Sequence, residues 1–170
     1  MTIDTPRPRL TSRRKGMLLT VPVVAAAVFA TVVYLTGFRQ IQQTDAVAEQ
    51  VAVDAASSAT VALLSYSPET LDRDMERAQS LMAGEFLTYY GRFTAEVVAP
   101  AVRDRGITAN AQALNSALME MEPDSAKVLV FLNQETTSRD RPEPSLTASS
   151  VVVSLAKSDG KWLISALDPV

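Results

Sequence analysis

Cysteine and histidine are both absent from this 170-residue chain. Disulfides, thiolate nucleophiles, Cys/His zinc sites and histidine-based triads are therefore excluded. Carboxylates and carbonyls remain as metal ligands, and these suit calcium or magnesium. No short Asp-rich loop with calcium-binding spacing occurs, so neither a metal nor a cofactor is expected.

Charge is unevenly placed. Before Gly16 stand Arg7, Arg9, Arg13, Arg14 and Lys15 against Asp4, a net charge of +4. After Arg39 ten basic residues face eighteen acidic ones, a net charge of −8. An acidic body excludes nucleic acid as its partner, because phosphates need a basic surface.

Between these halves, Met17 to Phe38 is 22 residues without a charge. At 1.5 Å per residue such a helix spans roughly 33 Å, the thickness of a bilayer's hydrocarbon core. A cleavable leader is the alternative, with Ala25-Ala26-Ala27 as its small-residue site. The apolar run, however, continues eleven residues past Ala27, beyond the length of a leader's core. Arg13-Arg14 only faintly matches a twin-arginine signal. The expectation is a single-pass inner-membrane anchor, with residues 1–16 in the cytoplasm by the positive-inside rule and the C-terminal body outside it. Ala25, Ala26, Ala27 and Ala30 offer a small-residue face for packing within the membrane.

Residues 39–66 have no glycine or proline and read as a long helix continuing from the anchor, with Ala48, Val51 and Ala55 on a face open to a partner helix. The part after about Asp54 is expected to face the core. Residues 67–170 complete the domain. Ser67-Pro68 reads as a helix start, and the second helix ends at Gly84. A third begins near Glu85, is kinked by Pro100 and stops at Gly106. From Ile107 the period becomes two, with Ala109, Ala111, Ala113, Ala117, Met119 and Met121 on one face. A turn at Glu122–Ser125 precedes the strand Val128–Ser138. Residues 139–145 read as a polar loop, Thr147–Lys157 as the third strand and Lys161–Asp168 as the fourth. Asp159-Gly160 is the hairpin between these last two strands. On the fourth, Trp162 and Ile164 share one face and Leu163 and Leu167 the other. Helices followed by strands specify an α+β domain, three helices covering a curved four-stranded antiparallel sheet.

The strand from Val128 to Ser138 turns polar at Asn133, Gln134 and Glu135. With Tyr89 and Tyr90, Asn133 and Gln134 are candidates for a pocket rim. Glu135 is the only base in this stretch and has no matched partner, so catalysis is not expected. Methionines 75, 82, 119 and 121 are read as core filling rather than a cavity lining.

The segments LLSYSPETLDRDMERAQSLMAGEFLTYY, VVAPAVRDRGI, VLVFLNQETTS and DGKWLISALDPV, in this order behind the anchor, resemble the Mce-associated membrane proteins of actinobacteria. The resemblance runs from the anchor to Val170. It implies a nuclear-transport-factor-like cone, a fold shared with VirB-type scaffolds of type IV secretion and with ketosteroid isomerase. It implies a non-catalytic accessory subunit that stabilises or assembles an importer of lipids such as fatty acids or sterols. Mce transporter components and membrane lipids are the implied partners, with a lipid also a candidate ligand. It supplies no catalytic residue. A periplasmic lipid-binding module and a secretion-type scaffold are the alternatives.

Overall fold

The computed structural model describes residues 46–170 of the chain. The apolar run 17–38, with Ala25, Ala26, Ala27 and Ala30, lies outside the described residues. Helix α1 spans Ala46–Leu64 and α2 spans Leu71–Gln79. A third helical run joins α3 (Gly84–Phe93), a π-helical stretch (Thr94–Val98) and α4 (Ala99–Arg105). Strands β1 (Thr108–Met121), β2 (Ser125–Ser138), β3 (Arg141–Ser158) and β4 (Lys161–Pro169) form one antiparallel meander in the order β1-β2-β3-β4.

Helix α1 is the spine of the core. Ala52, Ala56, Ala59, Thr60 and Leu63 recur at helical spacing and are buried. They meet Val128, Val130 and Leu132 of β2, Val151, Val153 and Leu155 of β3, and Ile164 of β4. The alanines let the helix lie close on the sheet. Thr60 is buried without penalty because its hydroxyl donates to the Ala56 carbonyl at 2.7 Å. Among the described residues α1 is the one helix long and apolar enough to cross a bilayer. Its buried stripe lies on the sheet instead.

Two local readings are corrected. The Ser67-Pro68 pair forms a turn, and α2 begins only at Leu71, after Thr70. That helix also ends at Gln79 rather than at Gly84, because residues Leu81–Ala83 leave it to pair with β4. In the third run a π-helical stretch, closed by the Ala99 N–H donating to the Thr94 carbonyl, stands directly ahead of Pro100, where the ring lacks a donor. Gly106 ends it at φ 62°, a left-handed cap that glycine adopts freely.

The strands depart from strict alternation. In β1 the register shifts at Leu114 and again at Met119. Each bulge inserts one residue and swaps the faces. Ser116 and Leu118 therefore turn toward the helices, Ala117 and Met119 are exposed, and Met121 returns inward. A shift at Ser165 does the same in β4 and brings Leu167 onto the core face beside Ile164 and Trp162. Residues 141–145 are strand rather than loop. Pro142 and Pro144 are accommodated because the register slips opposite Thr137, and β4 does not reach this part of β3. Asp159 (φ 49°) and Gly160 (φ 77°) form the tight turn of the last hairpin.

Candidate functional site

Both sheet edges are partly covered by backbone. After α1, Tyr66 exchanges two 2.9 Å hydrogen bonds with Ala109, and the Ala111 N–H donates to Ser65 Oγ at 3.0 Å. On the other edge the Ile164 N–H donates to the Leu81 carbonyl at 2.8 Å, and the Ala83 N–H donates to the Ile164 carbonyl at 2.9 Å. Such covering protects edge strands from adventitious pairing.

The polar end of β2 and the β2–β3 turn tie down helix ends. A helix leaves its last carbonyls without partners. Gln134 Nε2 donates to the Leu64 carbonyl at 3.0 Å, and Tyr90 Oη donates to the Leu63 carbonyl at 3.0 Å. Burial, with Tyr66 nearby, pushes the Tyr90 hydroxyl up to about 12, and burial also raises Tyr66. At the end of α4, Arg139 donates from its N–H to the Arg105 carbonyl at 3.0 Å and from Nη2 to the Arg103 carbonyl at 2.6 Å. Its side chain crosses Gly106 so closely that a Cβ there would stand 2.7 Å from Nε. The stretch NQETTSR thus works as a double clamp on helix C-termini.

The four rim candidates do not meet at one rim. Tyr90 and Gln134 spend their donors on α1. Tyr89 is 64% exposed and stacks on Phe93, with ring centroids 6.1 Å apart. Asn133 lies on the outer face of β2, since strand neighbours alternate and Leu132 and Gln134 face inward. On α1, Val51 is exposed, while Ala48 and Ala55 are half-buried flanks of its first turns. The core face of that helix begins at Ala52. Among the methionines, Met82 is buried and Met119 is exposed.

The main concavity lies between α1 and β1. Cavities of about 570 Å³ and about 680 Å³ share Asp54, Ser57 and Ala113 and so form one groove. It follows α1 from Ala46 to Ser65, roughly 28 Å at helical rise. Val61, Ala62 and Ala111 provide an apolar floor, and Asp74 and Arg77 of α2 overhang one end. Ser57 Oγ and Ser116 Oγ, 2.7 Å apart, bridge its two walls. Sequence periodicity missed this groove because the bulge at Leu114 creates part of its wall. Among the described residues no group of three or more Asp or Glu converges to hold a metal. The serines have no histidine to activate them. What the groove does present is a shaped, partly apolar surface with the carboxylates of Glu49, Asp54 and Asp74 along it.

A second exposed feature is the outer face of the sheet. Cross-strand rows Ala117–Leu129–Val152 and Asn115–Phe131–Ser150 carry no charge, and Phe131 is 43% exposed.

No family model matches the chain. It is 53% identical over 137 residues to the uncharacterized protein Rv1362c of Mycobacterium tuberculosis, covering 81% of this chain and 62% of that protein. The chain thus spans less than two thirds of that relative's length. It is 41% identical over 125 residues to the outer membrane protein Rv1973 of the same organism, covering 74% of this chain and 78% of that one. Among solved structures, the periplasmic domain of DotI matches with a TM-score of 0.58 at 13% identity, covering 69% of this chain and 91% of that one. The VirB8 protein of Agrobacterium tumefaciens matches with a TM-score of 0.55 at 13% identity, covering 72% and 92%. The fold is accordingly the nuclear-transport-factor-like fold of VirB8-type domains. By its identity to Rv1973 over most of both sequences, the chain belongs to the family of that mycobacterial protein.

Proposed function

We propose that this chain is a non-catalytic accessory subunit, tethered by residues 17–38 to the inner membrane, that stabilises or assembles an Mce-type lipid import complex. Its body works outside the cytoplasm by contact with neighbouring proteins. The observation that carries this reading is an uncharged 22-residue run placed ahead of a domain with the fold of a secretion-system periplasmic domain. The ordered resemblance to Mce-associated proteins supplies the transporter class. The space between α1 and the sheet is filled by side chains such as Ala52, Ala56, Val128 and Val130, each fully buried. That filling favours a contact role over storage of a lipid inside the cone. Deleting the gene is expected to lower both the abundance of Mce proteins and the uptake of a labelled fatty acid or sterol. Unchanged abundance and uptake would refute the reading.

A scaffold in a secretion-type assembly is the second reading, favoured by the fold of DotI and VirB8. Deletion would then abolish export of protein or DNA while leaving lipid uptake intact.

A further inference from the structure

We propose that the α1–β1 groove is the docking site for a basic, extended segment of a partner protein. The inference names the surface and partner chemistry of the contact function proposed above, and rests on that reading. Glu49, Asp54 and Asp74 line the groove against the single cation Arg77. No ion pair among the described residues neutralises these three carboxylates. Asp54 accepts a hydrogen bond from Gln50 Nε2 at 2.8 Å and Asp74 from Thr70 Oγ1 at 2.5 Å. Both donors are neutral and leave the negative charge in place. A cationic side chain in the groove would be attracted by them.

The walls fit an extended chain. Ala109 and Ala111 turn their edge-facing groups to Tyr66 and Ser65. By strand alternation Ala113 turns its N–H and C=O to the same edge, where no backbone segment pairs with it among the described residues. An incoming strand can take that pair of bonds before the bulge at Leu114 ends the edge. Val61, Ala62 and Ala111 accept apolar side chains at alternate positions.

Other occupants fit less well. A lipid tail would lie against unneutralised carboxylates and strip their water. A second copy of this net-acidic body would bring like charge to the groove. The basic residues 7–15 of this chain lie across the membrane in the reading above.

The test uses the full chain in neutral detergent and a fluorescein-labelled peptide of eight alternating lysines and valines, followed by anisotropy. Saturable binding is expected, at least tenfold tighter than that of the glutamate–valine counterpart. Asp54→Asn with Asp74→Asn, and separately Ser58→Trp, should each raise Kd at least tenfold while the circular dichroism spectrum is unchanged. Glu143→Gln, outside the groove, should leave Kd unaltered. Absence of saturable binding overturns the proposal, as does equal weakening by Glu143→Gln, which would show diffuse attraction. If the D54N/D74N chain still captures transporter proteins from membranes, the groove assignment fails and the accessory role stands. If the native chain captures none, the accessory role fails whatever the peptide does.

Discussion

At Gly106 a hydrogen replaces the Cβ that other residues carry, and Arg139 passes through the space. Gly106→Ala would add a Cβ 2.7 Å from Arg139 Nε at a φ of 62°. The left-handed conformation alone costs about 1 kcal/mol, and the displaced hydrogen bond to Arg103 about 1 kcal/mol more. Urea unfolding should show a loss of roughly 2 kcal/mol. Adding Arg139→Ala should recover less than that single variant's cost, because the backbone strain remains. Tyr90 gives a pH signature. Its hydroxyl is raised to about 12 by burial, with Tyr66 a smaller cause. Folding therefore holds its proton more tightly than the unfolded chain does. The stabilisation is complete below pH 10 and is lost as pH rises from about 10 through about 12. Alkaline denaturation followed by circular dichroism should be shallower over that window in Tyr90→Phe than in the native chain. A superimposable curve would contradict the burial of this hydroxyl.

At the scale of elements, the alternation in Val128–Ser138 makes β2 a central strand, and Leu132 its most consequential core residue. Leu132→Ala should cost about 2–5 kcal/mol in urea unfolding, and Phe131→Ala on the open face far less. Equal losses would show that the outer face is covered. This strand and the Asp159-Gly160 hairpin were legible because each states a period or a turn rule, while the core face of α1 was expected only after about Asp54 and begins at Ala52. The bulges at Leu114, Met119 and Ser165 were not, since bulges are set by pairing with the neighbouring strand and leave no local composition signal. The inward turn of Ser116 and of Leu167 followed from them, and so did part of the groove. Residues 139–145 read as loop from two prolines; Arg139 and Asp140 do form the turn, and the slip opposite Thr137 lets 141–145 be strand. The polar end of β2 was singled out as a pocket rim, whereas Gln134 donates to the Leu64 carbonyl. Its use was hidden, because the helix ends that Gln134 and Arg139 bind are distant in sequence.

For the whole molecule, the proposed role at a membrane rests on a basic tail, an uncharged run and an acidic α+β body in that order. A reporter fused after Val170 should be active only outside the cytoplasm, and cytoplasmic activity would reverse the orientation. Membrane fractionation should place the chain with the inner membrane, although the relative Rv1973 is named for the outer one. The most direct measurement is affinity capture of the full chain from native membranes after mild crosslinking, with the co-purifying proteins quantified by mass spectrometry. Mce transporter components should be enriched with the chain in near-constant proportion. A chain recovered as a clean monomer, with no transporter protein above background, would contradict the role proposed for it.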